Sequence, residues 1–313
     1  MTAGLLGIVT RPDPWRWQPH PEVWFLVVAL IGLAWYATSR VGLRAARPGE
    51  PVLTRSQVAW GTGALVLLLV ASDWPVHDLA EEYLYSAHMV QHLLLSYVVP
   101  AMALLATPTW LARLVVGSGR GYRVLKKLAR PVPATVIFNA VVLFTHWPAV
   151  VTAAVDNGPL HYSLHVLLVA AALLMWLPVC GPLPELRFPL PTQMVYLFAQ
   201  SILPTVPAGW LTFADGVVYP SYDVLPRVFG LSVTDDQQLA GLIMKIVGGF
   251  YLWTIIATLF IRFASKHMDD DRARGVELDR RAPVVSPSGE TLTWEQVERE
   301  LSAAGPAPKS PAD

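Results

Sequence analysis

The sequence predicts an all-α fold: a polytopic membrane bundle of about seven transmembrane helices. Three observations carry that expectation. Of 313 residues, 54% are hydrophobic and only 15% charged, well under the roughly 25% of a soluble domain. The apolar residues fall into separate stretches, most of them near the ~20 residues that cross a bilayer as a helix. Proline and tryptophan punctuate their ends, as interfacial anchors and helix breakers do.

In chain order the spans are Val23–Ser39, Val58–Trp74, Tyr83–Ala106, Pro133–His146, His161–Val179, Met194–Phe213 and Leu239–Phe263. The second closes on Trp74-Pro75. The third opens beside the run HMVQH, and the fifth opens on HYSLH. The fourth is the shortest and closes on THWP. Between the third and fourth lies Trp110–Arg130, basic through Arg113, Arg120, Arg123, Lys126, Lys127 and Arg130 with leucines and valines between them. It fits an amphipathic segment on an anionic membrane surface, and equally a solvated positive loop. Residues 1–265 thus form the membrane domain. Residues 266–313 turn charged, then rich in Pro, Ser and Ala, and read as a largely disordered tail. Thr293 with Gln296 can box the start of one short helix there.

Basic residues set the orientation. Arg40, Arg44, Arg47 and Arg55 fill the first loop, six more the third, and Arg187 the fifth. Even-numbered loops hold Arg227 and the acids Asp73, Asp78, Glu81, Glu82, Asp156, Asp215, Asp223, Asp235 and Asp236. The expectation is an N-terminus outside and a cytoplasmic C-terminus. No basic run, apolar stretch and cleavage site follow one another before Pro21, so no signal peptide is expected.

Several function classes find no support. Net charge is zero, which gives no footprint for nucleic acid. The single cysteine, Cys180, excludes an internal disulfide and a CxxC metal site. P-loop, GxSxG and GxGxxG motifs are absent, and no catalytic motif suggests an enzyme.

The histidines are the informative residues. His88 and His92, and His161 and His165, are i,i+4 pairs, so each pair projects from one helix face. His146 ends the fourth span. On the expected topology all five fall at the outer side, which the topology was not built to produce. Gln91 and Ser96 extend the polar face of the third span, and Asn139 lies seven residues before His146. Gln237, Gly241, Met244 and Gly248 share a face of the seventh. Imidazole with thioether and no thiolate pair suits copper better than structural zinc. The candidate metal ligands are therefore His88, His92, His146, His161, His165 and Met244. The bland alternatives are hydrogen-bonded packing histidines and, for Met244, simple core packing. His77 reads as a loop residue, His20 as part of the outer N-terminal segment and His267 as part of the tail. Lys245, inside the seventh span, could pair with an outer acid, snorkel, or form a Schiff base. Asn139, Gln193 and Gln200 read as polar groups that bind helices together.

The segments SAHMVQHLLLSYVVPAMALLATP, FTHWPAVVTAAVDNGPLHYSLHVLLVAAALLMWLPVCGP and DDQQLAGLIMKIVGG resemble the CtaG-type assembly factors of bacterial caa(3)-type cytochrome c oxidases. The resemblance runs from about Glu81 to Arg262. It departs from the pattern at Lys245, where an apolar or aromatic residue is expected, and at Val99-Pro100-Ala101, where a double proline is common. It implies a multi-pass protein of the bacterial plasma membrane that helps build a haem–copper oxidase. Its partners would be oxidase subunits, the lipid bilayer and a copper donor protein. The expected function is copper binding at the outer histidines and delivery to the oxidase. The alternatives are a redox protein with b-type haem, a metal-free scaffold, and a permease, which the few polar residues in the inner halves of the spans disfavour.

Overall fold

The computed structural model describes residues 9–46, 49–155, 157–281, 284–285 and 291–303. Arg47, Asp156, the first eight residues and the end of the tail lie outside them. The chain divides into two units, Met1–Phe260 and Ile261–Asp313.

Prolines and side-chain caps start the helices. Helix α1 (Pro21–Ala45) opens on Pro21, where a missing N–H costs nothing. Helix α2 (Arg55–Ser72) opens on a capping box between Thr54 and Gln57. A short helical segment α3 (Val76–Tyr83) follows, then a break at Leu84, where the backbone is extended. Helix α4 (Tyr85–Ala106) carries HMVQH in its first turns. Two short helices, α5 (Thr109–Val116) and α6 (Arg120–Leu128), hold the basic segment. Next come α7 (Pro131–Thr145), α8 (Pro148–Val155) and α9 (Gly158–Cys180), the last capped by the Asn157 side chain. Helices α10 (Leu190–Ile202) and α11 (Thr205–Thr212) make one span. Helix α12 (Val233–Arg274) starts under a Ser232 cap and passes through a π-helical turn at Ile243–Val247.

Five helices are long and apolar enough to cross a membrane, or up to seven if each bent pair is one span. The all-α character expected from the sequence is present, and five to seven candidate spans are consistent with the expected membrane bundle; two of the seven expected spans are bent pairs. The second is α2 plus α3, bent by 50°. The fourth is α7 preceded by α6 at 78°. Helix α7 alone has 15 residues, about 22 Å at 1.5 Å each, short of a ~30 Å hydrocarbon layer. Tyr122 and Leu125 of α6 pack on Ala112, Leu183 and Leu186, while its lysines stay exposed. The basic segment is thus amphipathic in three dimensions.

The surface of α1 is apolar and open: Phe25, Val28 and Leu33 are exposed, and only Val23 and Gly42 are buried. Such a face requires an apolar solvent. The interior closes around Tyr97, Phe138, Trp176 and Tyr251, whose rings lie 5.9–6.5 Å apart, and Trp176 donates to the Ser96 carbonyl.

Asn139 donates to Gln200 Oε1 at 2.7 Å, and Gln200 reaches Thr135, tying α7 to α10 as expected of buried amides. Gln193 differs: it bonds the Phe188 carbonyl just before its own helix. Lys245 bonds no acid among the described residues. Its Nζ donates to Thr205 Oγ1 (2.6 Å) and the Ser201 carbonyl (3.3 Å), satisfying acceptors at the break between α10 and α11.

Gly241 marks a close contact between α12 and α11. A Cβ there would stand 2.6 Å from the Ala208 carbonyl oxygen and 2.9 Å from the Thr212 nitrogen, and would meet Thr212 Oγ1 as well. Backbone atoms cannot step aside cheaply, so Gly241→Ala should cost about 1–3 kcal/mol as α11 is forced off α12. Thermal unfolding in detergent checks this, with Gly249→Ala, which meets nothing within 4 Å, as the control.

In the second unit the helix continues to Arg281, laced by His267–Asp271, Arg272–Asp269 and Arg274–Asp271 pairs. A further helix, Trp294–Ala303, begins where Gln296 accepts from the Thr293 N–H at 2.7 Å.

Candidate metal centre

Helices α4 and α9 begin, and α7 ends, at one end of the bundle. Their relative direction brings the histidine motifs together. The start of α4 has no side-chain cap of its own. Instead Asp236, from α12, accepts from the Tyr85 N–H (2.6 Å), the Ser86 N–H (3.1 Å) and the Ser86 hydroxyl. A carboxylate at a helix N-terminus is favoured both by hydrogen bonding and by the helix dipole. This contact fixes the turn that carries His88 and His92.

Four side chains converge there. Nε2 of His161 lies 2.6 Å from Glu81 Oε1 and 3.2 Å from His165 Nε2. Nδ1 of His88 lies 3.7 Å from the same Glu81 oxygen. One ligand atom from each of Glu81, His88, His161 and His165 falls within 4.8 Å of all the others. His88 is 7% exposed, and its Nδ1 is buried without a hydrogen-bond partner among the described residues. Three nitrogens and one carboxylate oxygen facing a common point repel one another unless a cation or protons lie between them.

A second group lies beside the first. The ring of His92 stands 4.2 Å from that of His88, 5.2 Å from His165 and 5.6 Å from His146. Nδ1 of His146 faces the Val142 carbonyl at 2.7 Å and must donate to it, which leaves Nε2 free as a lone pair, 3.4 Å from Met89 Sδ. His92 lines both cavities: one with His88, His161, His165 and Tyr222, the other with Met89, His146 and Met244. Their volumes are about 20 and 30 Å³, room for a water or an ion.

The six residues named from the sequence are thus neighbours, but they do not surround one point. His88, His161 and His165 share the first cavity, and His146 and Met244 line the second. Gln91 turns away to the Ala71 carbonyl, and Ser96 bonds the His92 carbonyl. Gln237 holds the loop, accepting from Val218 and Tyr219. Asn139 is spent on Gln200. Sequence reasoning missed Glu81 and Met89 as neighbours of the histidines.

The loop of residues 213–232 closes the end. Tyr219 donates to the His146 carbonyl (2.7 Å) and Tyr222 to the Ala80 carbonyl (3.1 Å). Burial pushes both phenols up, Tyr219 to about 12, so they act as neutral hydroxyl donors.

A family model, that of the cytochrome c oxidase caa3 assembly factor, matches residues 34–266, most of the chain and every histidine just described. The chain belongs to this family. No curated protein and no solved structure matches it. In this caa3 oxidase assembly factor, the matched region holds both cavities together with the helices that frame them.

Proposed function

We propose that this assembly factor takes copper as its cargo at the Glu81, His88, His161 and His165 cluster and helps pass it to the oxidase. The single observation that supports the reading is the convergence of three imidazoles and one carboxylate from three segments, their ligand atoms all within 4.8 Å of one another. The donor set is imidazole-rich with thioethers next door and no thiolate, a combination that suits copper ions. The basic loops lie at the other helix ends, and the positive-inside rule supports an outer position for the cluster, the side from which extracytoplasmic copper would arrive. Placement at helix ends under a loop, rather than in mid-bundle, favours ligand exchange with a partner. The small cavities favour a bare ion over b-type haem, whose flat macrocycle needs a slot between two axial imidazoles.

The test replaces His88 or His165 with alanine and measures copper content and activity of the oxidase assembled in those cells. Both should fall by roughly 10-fold or more. Values matching wild type end the proposal. A metal-free scaffold predicts a different pattern: an assembly defect, with no copper bound by the purified wild-type protein.

A further inference from the structure

A second cluster lies at the same end, on residues the first does not use. His20 precedes α1, while His77 and Asp78 sit in α3. Nε2 of His20 lies 2.6 Å and Nδ1 of His77 3.4 Å from one oxygen of Asp78. The two rings are 4.5 Å apart, and the three ligand atoms lie within 4.8 Å of one another. Asp78 is 2% exposed, and its other oxygen, Oδ2, is buried with no partner among the described residues.

The surroundings orient this group. Glu22 Oε1 lies 3.2 Å from His20 Nδ1 and accepts the Tyr162 hydroxyl at 2.6 Å. A carboxylate can only accept, so Nδ1 carries the proton and Nε2 of a neutral His20 presents its lone pair to Asp78. Carboxylate-oriented imidazoles of this kind are the usual outer shell of metal sites. A lone pair facing a carboxylate oxygen needs positive charge between them. A proton on His20 would satisfy Oδ1 but would leave Oδ2 bare. A cation engages all three residues.

We propose that His20, His77 and Asp78, oriented by Glu22, form a second and separate binding site for a divalent transition-metal cation. Two imidazoles and one carboxylate are three borderline-to-hard donors carrying one negative charge, the set that zinc or copper(II) accepts with one position left for water. The side chains of His20 and His77 are each 13% exposed, so an ion can reach them from solvent. The proposal does not rest on the first cluster, with which it shares no ligand.

The full-length protein, stripped with a chelator in detergent, is titrated with Zn²⁺ alone. His20→Ala/His77→Ala should bind one zinc ion fewer per chain than wild type. His161→Ala/His165→Ala should keep that ion and lose it when the first pair is added. Asp78→Asn, which preserves shape, should weaken that one event roughly 10-fold or more, and decides the matter if the double variant does not fold. Unchanged zinc number and affinity in His20→Ala/His77→Ala or, failing that, in Asp78→Asn overturns the proposal. Such a result leaves the first cluster untouched, whose own loss is read in His161→Ala/His165→Ala.

Discussion

Asp236→Ala should lower the unfolding free energy by about 3 kcal/mol, the range for losing one partner of a buried charged hydrogen-bond group. The carboxylate is 3% exposed and accepts from two backbone N–H groups and a hydroxyl at the start of α4. No side chain of α4's own flank replaces it. Tyr85 and Ser86 are themselves buried, so the freed N–H groups meet little water and the penalty stands. The same change should weaken metal binding at the first cluster, because the loosened turn carries His88. Asp235→Ala is the control: Asp235 is exposed and, among the described residues, its carboxylate bonds only Ser232, so its cost should stay within about 1 kcal/mol. Thermal unfolding of the purified proteins reads both, and equal destabilisation by the two variants would refute the assignment of Asp236 as the cap of α4.

Glu81→Gln should cut the affinity of the first cluster for a divalent ion by roughly 100-fold while leaving the fold intact. Glu81 contributes the single formal charge among the four converging side chains. A unit charge pair at 4 Å and an effective dielectric of about 20 is worth about 4 kcal/mol, close to three decades in affinity. Desolvation takes back part of that, which leaves about two. Glutamine keeps the length and one acceptor oxygen, so the variant isolates charge from shape. Competition against a copper chelator measures the change. Wild-type affinity would remove Glu81 from the ligand set.

Much of this was readable along the chain because its causes are local. An apolar run of bilayer length specifies a spanning helix in any neighbourhood, and α9 and α12 stand where their runs predicted. The i,i+4 spacing of His88 with His92 and of His161 with His165 specifies a shared face from helix geometry alone. The one-sided placement of these residues followed from counting helix directions.

Other features depended on chain breaks. Glu81 lies seven residues before His88, a spacing that would share a face on one continuous helix. The extended backbone at Leu84 interrupts that helix, so spacing alone could not place the carboxylate over the imidazoles. Bends at the ends of α2 and α6 likewise left two spans only partly legible.

The sequence by itself determined the all-α membrane architecture and which segments carry imidazole, because hydropathy and helical period act within one segment. Only the tertiary structure decided that Glu81 joins His88, His161 and His165. Only it decided that Met89 and Met244 share the neighbouring cavity, and that His20 meets His77 and Asp78. Those meetings depend on how separate helices are tilted, broken and capped against one another, and no single stretch of chain encodes that geometry.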